Sequence, residues 1–182
     1  MRIRGILLVG GLIFFCADTA SAQDASKVGI TMGYPASIGL LWHVSDRVAL
    51  RPEFSFTLSD SSSESIVNAE SNFWSLGTGV SVLFYSPLTD NLQTYVAPRF
   101  SYTRTSGDSD VTESTTDIYS VAGMFGAQYS LGRRFAVFGE VGFSYAHQTG
   151  MITSKVAQIP VSTSSHGDTI GTRTGVGVVL YL

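Results

Sequence analysis

The sequence predicts an all-β fold, an eight-stranded antiparallel barrel that crosses a membrane, with short turns at one end and longer loops at the other. Almost every segment between turn signals alternates apolar and polar residues with period two, and no long stretch follows the helical period of 3.6. Short and long connections alternate along the chain, as they do in membrane barrels. Charged residues make up only 14% of the chain, below the ~25% usual in soluble domains.

Residues 47–58 show the alternation most clearly. Apolar side chains occupy one parity and smaller or charged ones the other, namely Val48, Leu50, Phe54, Phe56 and Leu58 against Ala49, Arg51, Glu53, Ser55 and Thr57. Successive side chains of a strand point to opposite faces, so this pattern fits either a soluble sheet or a barrel wall. Pro52 has no amide hydrogen for a ladder, and we therefore expect a bulge or local distortion there.

The first 22 residues predict a cleaved signal peptide. Arg2 and Arg4 are basic, residues 6–15 are apolar, and Ala20-Ser21-Ala22 offers small residues for a signal peptidase. The alternative is an uncleaved N-terminal anchor, although the apolar run is too short to span a bilayer as a helix. Cleavage after Ala22 leaves residues 23–182 as one barrel domain. Cys16 is the only cysteine and lies within the signal, so the remaining chain has no thiol for a disulfide.

The predicted mature chain is weakly acidic. Of the 11 basic and 14 acidic residues, Arg2, Arg4 and Asp18 are removed with the signal, leaving 9 and 13 and a net charge of −4. No basic patch is available for a nucleic acid backbone, so we expect no nucleic acid partner. No cofactor and no metal are expected either, because the three histidines are scattered and no carboxylate cluster accompanies them.

Eight alternating segments follow the signal. They are residues 28–34, 38–44, 48–58, 74–84, 96–102, 119–129, 137–145 and 170–182. Tight turns are predicted near residues 45, 88 and 132, and long loops at 59–71, 105–115 and 148–167. The first two segments are divided at Pro35 because a single 17-residue strand would exceed the ~9–11 residues that cross a bilayer. An even strand count with this asymmetry places both termini in the periplasm.

Outward-facing aromatic residues predict two girdles. Those near the long-loop ends are Tyr34, Trp74, Tyr102, Tyr119 and Tyr145, and those near the short turns are Trp42, Phe84 and Tyr129. About ten residues of strand tilted by ~40° rise roughly 25 Å, which is the height of the apolar band of a membrane barrel. Aromatic residues collected at two such heights favour a barrel wall over a soluble sheet.

With these features the chain resembles the small outer-membrane β-barrel family that includes the transmembrane domain of outer membrane protein A, the outer membrane protein X group and the opacity-type proteins. The likeness rests on the signal ending at Ala22, on residues 40–54 and on the closing segment 175–182. It implies a location in the outer membrane, contact with its lipid and lipopolysaccharide, and insertion by the barrel assembly machinery. The implied assembly signal is Val178, Leu180, Tyr181 and Leu182, with Leu182 where the family usually ends in Phe.

Five charged residues are predicted to face the lumen at mid-height, namely Arg51, Glu53, Arg99, Glu140 and Arg173. The interior of an eight-stranded barrel is only wide enough for side chains to fill it, so these charges must pair. We therefore predict one network that plugs the lumen. The alternative is a small gated porin-like pore, in which the pairs exchange partners to admit ions.

A lipid A-modifying enzyme is the least favoured interpretation. The candidate pairs are His147 with Thr149, and His166 with Ser164 and Ser165. His147-Gln148-Thr149 lacks the serine and asparagine that follow the histidine in the motif of the outer-membrane deacylases, and His166 lies in a predicted loop. The long loops, rich in Ser, Thr, Asp and Glu, are candidates for a surface that binds a ligand outside the cell. The sequence thus predicts a structural or surface-interaction barrel without catalytic residues.

Overall fold

The computed structural model describes residues 27–35, 37–63, 69–154 and 161–182, with backbone alone for 61–63, 69–70 and 87. The predicted signal peptide, residues 1–22, lies outside the described residues. Within those ranges no helix is long and apolar enough to cross a membrane.

The described residues form eight strands, joined in chain order into a closed antiparallel barrel in which β1 also pairs with β8. The strands are β1 (Val28–Tyr34), β2 (Ser37–Ser45), β3 (Val48–Ser63), β4 (Ala69–Pro87), β5 (Leu92–Ser109), β6 (Thr112–Ser130), β7 (Phe135–Ser154) and β8 (Val161–Tyr181). The predicted fold class is confirmed. The division of the first two strands at Pro35 is also correct, because Gly33 pairs with Ser37 across that hairpin.

The predicted bounds of the three long loops were wrong, because much of each loop is strand. Only Asp110 and Val111 separate β5 from β6, and the ladder between these strands continues to the pair of Asp108 with Glu113. Ser- and Thr-rich segments resemble loops when read alone, but pairing with a neighbouring strand satisfies their backbone groups. The asymmetry between the ends therefore lies in the strands: β1 and β2 have 7 and 9 residues, whereas β3 to β8 have 16 to 21.

The two faces of the wall carry different side chains. Apolar and aromatic residues of one parity are exposed on the outside, for example Phe54 at 51% and Phe143 at 70%. The other parity fills the lumen, where the largest side chains with less than 2% exposure are those of Arg51, Tyr95, Leu41, Leu83, Met124, Val179 and Ser81. The core of this protein is therefore the inside of the barrel, and its outside is the apolar face.

The strand at Pro52 is distorted but has no bulge. The register between β2 and β3 is the same on both sides of Pro52, yet the pairs of Leu40 with Pro52 and Leu41 with Arg51 are missing. The register shift between these strands lies at His43 and Ser45 instead. A proline removes one donor without adding a residue, so it interrupts the ladder and leaves the register intact.

Candidate functional site

Glu140 of β7 lies at the centre of a buried charge network in the lumen. Arg51 Nη2 donates to Glu140 Oε1 at 2.5 Å, and Arg99 Nη2 donates to Oε2 at 3.0 Å. Tyr95 adds a hydrogen bond from its hydroxyl to Oε1 at 2.8 Å. The Glu140 side chain is only 1% exposed. One carboxylate therefore satisfies two arginines in a buried site, where the low local dielectric strengthens each bond.

Glu53 of β3 completes the ion pairs but is held more loosely. Its carboxylate lies 3.6 Å from Arg51 Nε and 3.3 Å from Arg99 Nη2, and its side chain is 15% exposed. Arg51 Nε is a buried nitrogen that lacks a hydrogen-bond partner among the described residues. Glu53 is therefore the member of the network with the longest ion-pair distances and the most exposed side chain.

The two paired arginines have further contacts with the wall. Arg99 Nε donates to Ser81 Oγ at 2.8 Å, and the guanidinium of Arg51 lies 5.0 Å from the centroid of the Phe138 ring. Arg173 of β8 lies on the lumen parity opposite Gly142 but has no salt bridge within the described parts of the chain. The structure therefore brings four of the five predicted charges together and places the fifth beside them.

A second layer, made of aromatic and amide groups, lies toward the short turns. Tyr85 donates to Gln128 Oε1 at 3.0 Å, and Gln128 Nε2 donates to the Tyr181 hydroxyl at 2.7 Å. His43 Nε2 lies 3.3 Å from the same hydroxyl. Tyr85, Tyr95 and Gln128 were not among the predicted lumen residues, although their parity was a readable signal. Tyr181, assigned to the assembly signal, points into the lumen.

The Tyr95 ring lies over Gly126, which is its cross-strand partner on β6. A Cβ atom built at Gly126 would overlap Tyr95 Cζ and would lie 2.7 Å from the hydroxyl oxygen. Any side chain at that position would therefore displace the ring from Glu140. Gly126 therefore contributes to the network by leaving space for the Tyr95 ring against β6.

The two layers divide the lumen into two cavities. The cavity toward the long hairpins has a volume of about 390 Å³, and Glu53, Arg99, Glu140 and Arg173 are among the residues that line it. The cavity toward the short turns has a volume of about 380 Å³, and its lining includes His43, Gln128 and Tyr181. Among the described residues, none lines both cavities. The buried side chains of the two layers lie between these cavities.

The predicted girdle residues lie on the outward face. Seven of them are 36% to 77% exposed, and Tyr102 is partly exposed because its ring packs against Tyr119 at 5.0 Å between centroids. In the predicted assembly signal, Leu180 is 43% and Leu182 64% exposed, and the Leu182 amide donates to the Val28 carbonyl at 3.1 Å. The lipid contact of the girdle and the role of the C-terminus remain predictions.

An outward polar cluster joins β7 to β8 beyond the girdle. His147 Nδ1 lies 2.8 Å from Asp168 Oδ1, and the Tyr145 hydroxyl donates to the same oxygen at 2.7 Å. These hydrogen bonds, that of His147 first, hold the pKa of Asp168 below its usual value. In the described ranges no hydroxyl is hydrogen-bonded to His147, and no group of three His, Cys, Asp or Glu residues could hold a metal.

The same barrel architecture is present in a solved outer membrane protein. The crystal structure of a major outer membrane protein from Thermus thermophilus superposes with a TM-score of 0.60 at 11% identity, covering 87% of this chain and 100% of that one. The fold is that of an outer-membrane β-barrel.

Two further structures show weaker likeness. Acinetobacter baumannii CarO2 has a TM-score of 0.44 at 11% identity, covering 86% of this chain and 98% of that one. CarO from the same organism has a TM-score of 0.41 at 13% identity, covering 88% of this chain and 100% of that one. No protein-family model matches the sequence, and no curated protein is similar to it.

Proposed function

We propose that this chain is an integral outer-membrane barrel with a structural or surface-interaction role, and that the network of Arg51, Glu53, Arg99 and Glu140 plugs its lumen. The observation that carries the proposal is the separation of the two lumen cavities, which share no lining residue in the described part of the chain. An open pore would need a continuous path lined by polar groups. The fold shared with the Thermus protein supports an outer-membrane location.

The asymmetry of the barrel supports one orientation in that membrane. Small outer-membrane barrels keep their short turns in the periplasm and their longer connections outside the cell. The long hairpins of β3 to β8 would then project outward and present the surface that interacts with other molecules. The girdles would contact lipid and lipopolysaccharide, and the C-terminal strand would be read by the assembly machinery during insertion.

Planar-bilayer conductance of the purified protein tests the plug. We expect near-zero conductance of the wild type, of Glu140→Ala and of Arg99→Ala, because the layer of Tyr85, Gln128 and Tyr181 remains below the charges. Phe143→Ala, a change on the outward face, is the matched control. Regular conductance steps in the wild-type protein would overturn the plug.

A gated pore is the second candidate, and the position of Glu53 favours it over an enzyme. Glu53 has the longest ion-pair distances of the network, and Arg51 Nε has no hydrogen bond to a described residue. If this carboxylate exchanged partners to open the lumen, Glu53→Ala would produce conductance steps that the wild type lacks. Absence of conductance steps in Glu53→Ala would count against a gate.

The surface role is tested by shortening one hairpin. Replacing residues 105–115 with a two-residue turn removes the end of the β5–β6 hairpin and leaves the barrel below it intact. We expect the protein to fold and insert but bacteria that express it to attach less to one another and to glass. Full attachment with the shortened hairpin would argue against a role for this surface.

An enzyme that modifies lipid A is not favoured, because His147 has a carboxylate partner but no hydroxyl partner in the described chain. Mass spectra of lipid A from cells with and without the protein should be identical. A new lipid A species that disappears in His147→Ala would contradict the proposal.

A further inference from the structure

Strands β3 to β8 continue beyond the β1–β2 hairpin as a curved six-stranded sheet. The last pair of β1 with β8 joins Tyr34 to Val176, whereas the β7–β8 ladder runs on to Ser154 and Val161. The barrel wall is therefore shorter at the β1–β2 hairpin, around Pro35, than on its other sides, which leaves a notch in the wall there. The 390 Å³ cavity reaches this notch, since Tyr34, Pro35 and Ser37 are among the residues that line it.

Polar side chains are sorted between the two faces of this extended wall. The cavity is lined by hydroxyl groups, including those of Ser55, Ser101, Thr103, Ser120 and Ser144. Glu53 and Glu140 lie on the lumen parity at the floor of the cavity. Above them, five carboxylates of these strands lie on the opposite parity, which they share with exposed apolar residues: Asp60, Asp108, Glu113, Asp117 and Asp168. The inner wall above the floor is thus rich in hydroxyls, and these five carboxylates face outward.

The floor of the cavity is lined by two arginines, Arg99 and Arg173, and two carboxylates, Glu53 and Glu140. Arg51, which does not line the cavity, is ion-paired with both carboxylates, so the buried group as a whole has one more positive than negative charge. Arg173 is repelled by Arg99 and attracted by Glu53 and Glu140, but it has no salt bridge to any described residue. A partly buried guanidinium without a carboxylate is a site for an external anion, because its five donors match an oxyanion.

We propose that this cavity binds an anionic sugar, with the oxyanion at Arg173 and the sugar hydroxyls on the Ser and Thr side chains of the wall. Its volume is at the low end of the ~300–1,000 Å³ typical of ligand pockets, enough for one monosaccharide. The notch beside Tyr34, a predicted girdle residue, admits ligand from the side. The sugar is therefore either free in solution or the terminal residue of a lipid-linked glycan.

The test uses the full mature barrel, refolded in detergent, and D-glucuronate as the probe, with D-glucose as its neutral counterpart. Calorimetry should detect binding of glucuronate to the barrel, and the affinity for glucose should be at least tenfold weaker. A hydrogen bond to a charged group is worth about 1.5–3 kcal/mol, so Arg173→Gln should weaken glucuronate binding about 10- to 100-fold. Arg173→Lys should bind glucuronate more tightly than Arg173→Gln but less tightly than the wild type, because the positive charge is kept while the planar set of donors is lost.

The control variant is Arg104→Gln, which removes an arginine from the outward face, where it lies 3.8 Å from Asp117. It should bind glucuronate as the wild type does. Heat-modified gel mobility verifies that each variant is folded. Absence of glucuronate binding, or equal binding by folded Arg173→Gln, would overturn the proposal.

The source of the ligand is resolved by repeating the titration in vesicles. Vesicles that contain lipopolysaccharide are compared with vesicles of phospholipid alone. Weaker apparent glucuronate affinity only with lipopolysaccharide supports a lipid-linked glycan, and equal affinity supports a free anionic sugar. These readouts are independent of conductance and attachment, so they separate this site from the proposed function of the barrel.

Discussion

Glu140 is the residue on which the lumen depends, because one carboxylate accepts hydrogen bonds from Arg51, Arg99 and Tyr95. Buried ion pairs are costly to assemble, but removing one partner leaves charges that nothing compensates. From the parity of each charged residue and its position along its strand, the sequence predicted which charged residues face the lumen at mid-height. It did not predict how they pair, because the identity of the nearest partner depends on how far the strands are staggered around the barrel.

We expect Glu140→Gln to lower the free energy of unfolding by about 3–5 kcal/mol, because Arg51 and Arg99 would then share only Glu53. Urea-induced unfolding in phospholipid vesicles measures the change. Asp117→Asn breaks the exposed pair with Arg104 and should cost at most about 1 kcal/mol. Equal stability of Glu140→Gln and the wild type would show that the network does not hold the barrel together.

At Asp168 the hydrogen bonds of His147 and Tyr145 lower the pKa of the carboxyl group. Asp168 lies beyond the pair of Tyr145 with Ile170, toward the hairpin ends and outside the predicted membrane-spanning band. A carboxyl group with a lowered folded pKa stabilises the protein above its unfolded pKa, and that contribution is lost as pH falls through the folded pKa. The β7–β8 contact should therefore weaken in acid.

The pKa of Asp168, followed by carbon NMR, should rise toward the usual aspartate value in His147→Ala and in Tyr145→Phe. Thr172→Ala, four residues along the same strand, should leave it unchanged. A pKa of Asp168 that does not move in either variant would mean that these hydrogen bonds are absent in solution.

At the scale of the strands, close approaches at glycine decide what the lumen can hold. Gly126 allows the Tyr95 ring to lie against β6, whereas a Cβ built at Gly123, three residues earlier, would meet no described atom within 4 Å. The parity of the strand predicts that Gly123 faces outward and Gly126 faces the lumen, but it does not predict that the Tyr95 ring lies over Gly126. The sequence also did not predict that the strands extend into the segments expected to be loops, because hydroxyl-rich segments form strands only when a neighbouring strand pairs with them.

We expect Gly126→Ala to destabilise the barrel by about 1–3 kcal/mol, as is typical of overpacking. Displacement of Tyr95 would also break its hydrogen bond to Glu140, which the tyrosine ring signals in NMR spectra should report. Gly123→Ala should change stability by no more than about 0.5 kcal/mol. Similar stability of the two variants would show that the lumen can accommodate the extra methyl group.

At the scale of the whole molecule, the apolar face is outside and the polar face inside. The apolar outer surface, with residues such as Phe56 and Ile170 exposed at 53% and 79%, is far larger than soluble monomers expose. Closure of the ring by β1 and β8 leaves no unpaired edge among the described strands at the level of the apolar band. The apolar surface requires lipid or detergent around the barrel, and the closed ring allows the wall to lie in lipid without unpaired backbone groups.

The mature chain should therefore remain soluble only with detergent or lipid, and its gel mobility should change on boiling. Folded barrels keep their ladder in detergent until they are heated, because every strand is hydrogen-bonded on both sides. The Glu140→Gln variant provides a comparison, since it should lose the compact band at a lower temperature. A chain that is soluble and monomeric without detergent would contradict the membrane barrel.

The sequence by itself determined the fold class, the division at Pro35, the outward and lumen parities, and the height of Arg51, Glu53, Arg99 and Glu140. Each depends on the two-residue period of a strand, which is local and can be read from one chain. The tertiary structure decided the rest: that Arg173 has no carboxylate partner among the described residues, that Tyr95 lies over Gly126, and that predicted loops extend the wall. Those features depend on which strands are neighbours and how they are staggered, a property of the closed barrel as a whole.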